Sequence, residues 1–358
     1  MALHLVLGAT RGFGAATTRA LLSRGESVRA MVLDPTRARL PPGVHAVAGN
    51  ALKPVDLMDA SEGCVSIIHG ITTPFAQWDP DLVRITAHIV QTAQYRQAAI
   101  VLPTRVWGLK LLYNVPLKPR PPRIDFNDPM SRKGALLNQL EDMLEAQALE
   151  DHGVPAVMIR AGDCFGPGVH NSLTSATFQN ALAGKPIPWF GSKTARHAWT
   201  YMEDVGTVAA NAVLTTLARG PMPARPSGPL FSQPDELPEG EDHWPDEIME
   251  RPAEERLSPR VVHLNIAPTI CVDAAGWAAA LSQHAGHASL PIKHYRDWVV
   301  RAAGKLRRDA QELSELRWHW HAPILLDDTA TRTRFPEYVP TPAPEALART
   351  FAWFKEAA

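Results

Sequence analysis

The sequence predicts an α/β protein with a doubly wound parallel sheet and a smaller C-terminal α/β domain. Three observations carry that prediction. Short apolar runs alternate with stretches of helical period from residue 3 to about 160, which is the pattern of βαβ units. The first run, Leu3 to Leu7, is followed at once by a loop holding Gly8, Gly12 and Gly14. The chain has 358 residues, more than one core usually absorbs.

The elements follow in order. Leu3 to Leu7 (LHLVL) reads as a buried strand, and Ala15 to Ser23 as a helix ended by Arg24-Gly25. Val28 to Leu33 and Val44 to Ala48 are strands two and three, and Leu57 to Glu62 is a short helix. Val65 to His69 is strand four, Leu82 to Tyr95 a helix, and Ala99 to Leu102 strand five. Ser131 to Glu150 is a long helix and Ala156 to Ile159 strand six. Beyond Gly166 the rhythm changes. Thr174 to Ala183, Met202 to Leu217, Ala274 to His284, His294 to Ala310 and Pro344 to Lys355 have helical spacing, and Val261 to Ile266 reads as a strand. Gly220 to Arg260 carries nine prolines with an acidic excess and no sustained period, so it reads as an irregular insertion. The expected division is a dinucleotide domain over 1–165, to which 195–219 returns. The smaller substrate domain covers 166–194 and 220–358.

Composition narrows the function classes. The net charge is −1 with no long basic run, which argues against nucleic acid as a partner. No run of about 18 apolar residues occurs, and the first apolar stretch is too short for a secretory leader. Three widely spaced cysteines (Cys64, Cys164, Cys271) suit reduced thiols. Together these give the expectation of a cytoplasmic protein with no membrane partner.

The glycine loop LHLVLGATRGFGAATTRALL places Gly8, Thr10, Arg11, Gly12, Phe13 and Gly14 between a strand and a helix. Glycine permits the sharp turn, the close approach of a phosphate and the tight packing of the helix. The helix N-terminus then offers free N–H groups and a positive dipole end to an anion. This is a Rossmann-type dinucleotide site.

The G-x-x-x-G-x-G spacing resembles the short-chain dehydrogenase/reductase superfamily. Most of the chain looks like its extended branch, the NAD-dependent epimerase/dehydratase family. Gly49-Asn50 stands at the family's Gly-Asp step near the adenine, which implies contacts from Asn50 and Ala51. Val106-Trp107-Gly108, Arg160 to Gly168 (RAGDCFGPG) and Trp199 to Val205 (WTYMEDV) match further family segments. The strings Pro129 to Glu141 and Thr72 to Trp78 look like an uncharacterised bacterial subgroup that lacks the family's catalytic tyrosine. The resemblance implies a nicotinamide cofactor. Arg11 in the loop, with Arg37 and Arg39 after strand two, leans the choice to NADP, with NAD as the alternative. Asp34, in Leu33-Asp34-Pro35, reads as a turn cap.

The family's Tyr-x-x-x-Lys pair is incomplete. Lys133 is in place, but four residues earlier stands Pro129, which has no proton to give. Thr104 stands near the family's serine position. Tyr113 and Tyr201 are the candidate replacement acids, while Asp128 and Ser131 read as caps of the helix that carries Lys133. For the substrate, the resemblance implies Arg196 on a diphosphate and Asn171 after Gly-Pro-Gly, with Thr73, Phe75 and Trp78 on a loop reaching the nicotinamide. Trp318-His319-Trp320-His321 holds two potential metal ligands. No cysteine or carboxylate cluster stands nearby in the sequence, so the string reads as a packed aromatic segment and no metal site is expected.

These readings imply an NAD(P)-dependent oxidoreductase or epimerase acting on a carbonyl or hydroxyl of a small molecule, including a nucleotide sugar, with a non-standard proton donor. The alternative is a non-catalytic dinucleotide-binding sensor or scaffold. The resemblance further implies a homodimer through Leu82–Tyr95 and Ser131–Glu150.

Overall fold

The computed structural model describes residues 1–72, 78–108, 132–169, 172–218, 258–304, 314, 316–321 and 325–356. Its larger part is a seven-stranded, wholly parallel sheet. The strands are β1 (Leu3–Leu7), β2 (Ser27–Val32), β3 (His45–Ala48), β4 (Ser66–His69), β5 (Ala99–Arg105), β6 (Ala156–Ala161) and β10 (Val261–Asn265). Their spatial order is β10-β6-β5-β4-β1-β2-β3, so the chain reverses direction across the sheet between β1 and β4. Such a reversal opens a crevice at the carboxyl ends of the strands.

Helices cover both faces, which is why the strands are near-continuous apolar runs. In β1, Leu5 and Leu7 point to one face and Val6 to the other, all fully buried. The first face packs on α2 (Pro54–Ala60), α3 (Trp78–Arg96) and α4 (Arg132–Leu149). The second packs on α1 (Gly12–Leu22) and α6 (Met202–Leu217). A polar exception in β1 is His4, whose Nδ1 lies 2.7 Å from Ser66 Oγ on the adjacent strand.

The smaller part is built on aromatic residues. β7 (Asp163–Phe165), β9 (His197–Tyr201) and β11 (Ile270–Val272) form a three-stranded sheet, and β8 (Ile187–Phe190) pairs in parallel with β12 (Ile292–Tyr295). Against them pack α5 (Ser172–Leu182), α7 (Ala274–Ala285) and α9 (Ala343–Glu356). Trp199 stacks on Trp277 with centroids 4.7 Å apart, and Phe178 on Phe354 at 5.3 Å. Burying each such side chain contributes about 1.5–3 kcal/mol. α7 is well delimited, with the Asp273 carboxylate accepting from the Gly276 N–H at 2.8 Å and Gly286 in the left-handed region at its end.

Three expectations change. Val261–Asn265, expected in the smaller domain, is the seventh strand of the large sheet, in register with Ala156 to Arg160 of β6. The helix expected over His294 to Ala310 is instead strand β12 followed by α8 (Asp297–Gly304), with residues beyond 304 outside the described set. The apolar spacing there serves two elements, because Tyr295 must stack on Phe190, 5.2 Å away, before the helix begins. Strands β7, β8, β9 and β11 lie outside the sequence expectations; they pair with partners far along the chain, β9 with β11 and β8 with β12, which no local pattern encodes. Of the proline-rich insertion, residues 220–257 lie outside the described residues.

Candidate functional site

A cavity of about 470 Å³ opens at the carboxyl ends of β1, β4, β5 and β6 and runs under the smaller part of the protein. Its walls come from two directions. The glycine loop supplies Arg11, Gly12 and Phe13; the ends of β4 and β5 supply His69, Gly70, Thr104 and Arg105. The smaller part closes it with Asp163, Cys164, Trp199, His319 and Trp320.

The glycine loop is shaped by close approach. A Cβ on Gly8, at φ +73°, would lie 2.2 Å from the Gly70 carbonyl oxygen, and one on Gly14 would lie 2.4 Å from that of Gly8. Gly12 differs: at φ +51°, a Cβ there would meet nothing within 4 Å. The empty space lies beside the first turn of α1, where the N–H groups of Phe13 and Gly14 have no intrahelical acceptor. The N–H of Gly12 itself donates to the Gly168 carbonyl at 2.9 Å, which lays the Gly-Pro-Gly stretch over the loop. A pyrophosphate fits this cradle: open space at one glycine, oriented donors and a helix dipole.

Of the expected catalytic pair, Thr104 lines the cavity and Lys133 does not. Thr104 ends β5 in register with Arg160 of β6. Its hydroxyl donates to the Glu141 carboxylate of α4, and Arg160 Nη2 lies 2.8 Å from both Glu141 oxygens. All three side chains are buried. With its proton held by Glu141, Thr104 presents an oxygen to the cavity as an acceptor. Lys133 is buried in the first turn of α4, on the helix face that carries Leu137 and Leu140 to the cavity wall. The helix sits close to β5 because Gly134 packs on the Trp107 backbone, where a Cβ would come within 2.1 Å of the carbonyl oxygen.

Other expected site residues lie elsewhere. Tyr201 is fully buried in the aromatic core, 5.6 Å from Phe165, and is not on the cavity wall. Burial, with Glu203 beside it, pushes its phenol up to about 12, which leaves it a poor proton donor. Arg196 is turned away from the cavity: its guanidinium donates to the Cys271 carbonyl at 2.7 and 3.0 Å, tying the start of β9 to β11. Arg37 is exposed beyond β2, and Asp34 caps its own turn, accepting from the Thr36 N–H at 2.9 Å. Asn50 organises the loop after β3, its Oδ1 accepting from the Leu52 N–H while its own N–H donates to Asp56. Ala51 is buried, with its carbonyl 3.0 Å from His88 Nδ1. Trp78 opens α3. Thr73, Phe75, Tyr113, Asp128, Pro129, Ser131 and Asn171 lie outside the described residues.

The sequence reading missed two groups. His69, at the end of β4, is buried with Nε2 3.1 Å from Thr86 Oγ1, and burial lowers its imidazole to about 4, so it lines the cavity as a neutral ring. Asp163, within the RAGDCFGPG string, receives His197 Nε2 at 2.9 Å and His319 Nε2 at 3.2 Å on one oxygen, Oδ2. Burial alone would raise its carboxyl; the charge of His319 and the hydrogen bonds from both histidines outweigh this and hold it well below the usual carboxylate range. The only hint available in the sequence was the string around His319, whose partners stand more than 100 residues away.

Comparison with known proteins agrees with this architecture. Residues 138–223 match the family described as NAD dependent epimerase/dehydratase. No curated protein matches the chain. Among solved structures, an epimerase from Methanothermobacter thermautotrophicus superposes with a TM-score of 0.69 at 16% identity, covering 99% of this chain and 92% of its own. UDP-glucuronic acid 4-epimerase from Bacillus cereus, in complex with NAD, gives 0.69 at 13% identity and 99% coverage of each chain. UDP-glucose 4-epimerase from Thermus thermophilus, also with NAD, gives 0.68 at 14% identity, covering 99% of this chain and 100% of its own. The chain therefore shares the Rossmann-type fold of these solved epimerases, and its segment 138–223 matches the NAD dependent epimerase/dehydratase family.

Proposed function

We propose that the protein is an NAD(P)-dependent, epimerase-like oxidoreductase acting on a carbonyl or hydroxyl carbon of a small molecule, with nucleotide sugars as the first class to test. The observation that carries this reading is one cavity joining the glycine loop of α1 to Thr104 at the end of β5. The solved relatives whose names specify UDP-sugar substrates and NAD support the same class.

The residues take these roles. The first-turn N–H groups of α1 hold the pyrophosphate, and Arg11 lies beside it. Lys133 binds the nicotinamide ribose. The nicotinamide, when bound, supplies reversible hydride transfer. Thr104 accepts a hydrogen bond from a substrate hydroxyl, since its own proton is committed to Glu141. Leu82, Leu102, Leu137 and Leu140 make the adjoining wall apolar and exclude water from the reacting carbon. We assign NADP as the preferred cofactor, because Asp34 is occupied in its turn while Arg37 stands exposed beyond β2 and Arg11 lies in the glycine loop; NAD is the competitor. The protein works in the cytoplasm, as a homodimer through α3 and α4.

The test is turnover. Incubation with NADP⁺ or NAD⁺ and a set of UDP- and dTDP-sugars, followed by NMR of the sugar, should yield an epimer or oxidised product. Lys133→Ala should lower the rate by at least about tenfold. Cofactor binding without turnover of any sugar nucleotide, aldehyde or ketone would contradict the enzyme reading.

A further inference from the structure

Beside the cavity, two imidazoles and one carboxylate converge from three parts of the chain, with Asp163 and His319 on the cavity wall and His197 behind them. Asp163 comes from β7, His197 from β9 and His319 from the 3₁₀ turn Arg317–Trp320. Nε2 of His197 and Nε2 of His319 both address Asp163 Oδ2, at 2.9 and 3.2 Å. The three atoms lie within 4.8 Å of one another. Ligand atoms around a tetrahedral ion with bonds of 2.0–2.1 Å stand about 3.3 Å apart, so small side-chain adjustments would bring this set to coordination distance.

The surroundings suit a cation. His319 Nδ1 faces the Leu316 carbonyl, which fixes Nε2 as its inward nitrogen. A ligating histidine is commonly oriented in this way, through a backbone carbonyl on its other nitrogen. Only 4% of the His319 side chain is exposed, so its ring is held in place by the surrounding protein. The ring of His197 is clamped on Trp320, centroids 3.8 Å apart and planes 12° from parallel, and lies edge-on to Trp199. Such an apolar shell limits solvent access to the ligands. Asp163 and His319 reach the cavity, which supplies an entry path.

We propose that Asp163, His197 and His319 form a binding site for a divalent transition-metal ion of the zinc type, with its fourth position open to water or to an oxygen of a molecule in the cavity. The site uses no residue of the dinucleotide cradle, so it stands or falls separately from the proposed activity.

The experiment is metal titration of the full chain after chelator treatment, with Zn²⁺ against a chromophoric competitor and with Co²⁺ by visible spectroscopy. The expected result is one Zn²⁺ per chain, with Co²⁺ giving the intense bands of four-coordinate nitrogen and oxygen ligation. His319→Gln and Asp163→Asn should each weaken Zn²⁺ by more than about 100-fold, beyond the loss typical of outer-shell changes. His45→Ala, an exposed histidine on β3, should leave it unchanged. The Co²⁺ spectrum of the unaltered protein needs no variant to fold. Absence of stoichiometric binding, a weak six-coordinate Co²⁺ spectrum, or affinity unaffected in folded His319→Gln and Asp163→Asn would overturn the proposal.

Discussion

The two walls of the cavity are built by opposite means. The wall at α1 is local: a strand, a loop and a helix turn contiguous from Leu3 to Leu22, working mainly through backbone N–H groups and glycines too close to their neighbours to carry a Cβ. The wall at Asp163 is assembled from β7, β9 and the turn at His319, and works through side chains. Between them lies a third device, the buried Thr104–Glu141–Arg160 network at the ends of β5 and β6. A backbone site tolerates changes in nearby side chains but not in its glycines. A side-chain site responds in the reverse way.

The largest expected effect separates the middle device from both walls. Glu141→Ala leaves the Arg160 charge buried without its carboxylate and should cost about 3–5 kcal/mol in denaturant unfolding. A loss under about 1 kcal/mol would mean that the network is not closed as described. Next comes acid sensitivity. The folded His69 imidazole titrates at about 4 against 6.5 in the unfolded chain, so the unfolded state alone takes up that proton between these values. Its contribution is complete above pH 6.5 and is lost as pH falls from 6.5 to about 4, a span worth roughly 3 kcal/mol. His69→Leu should flatten the stability–pH curve in that window, and an unchanged slope would show that His69 is solvated. Arg196→Ala should have the smallest effect, within about 0.5 kcal/mol of stability and without change in cofactor or sugar-nucleotide affinity, because its exposed guanidinium serves a carbonyl outside the cavity.

The same contrast explains what could be read from the sequence. The strand Leu3–Leu7, the glycine loop and the helix Met202–Leu217 were legible because each signal is confined to a few consecutive residues. Lys133 and Thr104 are expected from the family resemblance; Thr104 lines the cavity, and Lys133 is buried in the first turn of α4. Asp163 was passed over although its string was noted, since nothing within 30 residues says that two imidazoles will meet it. Tyr201, a candidate acid in the sequence before Asp204, has its ring in the core against Phe165. The split of His294 to Ala310 into a strand and a helix depends on the Phe190–Tyr295 stack, a contact more than 100 residues long that no local period encodes.

The central claim, a dinucleotide held at the α1 cradle, is tested most directly at Gly12. Space there is open, so Gly12→Ala meets no protein atom and should cost only about 1–2 kcal/mol of stability for its left-handed backbone. Its methyl group would stand where the pyrophosphate lies. Titration of the unaltered protein and of Gly12→Ala with NADPH and NADH, followed by nicotinamide fluorescence, should show saturable binding, tighter for NADPH, that falls at least about tenfold in the folded variant. Equal affinity in the two proteins, or no binding of either nucleotide to the unaltered one, would contradict the account.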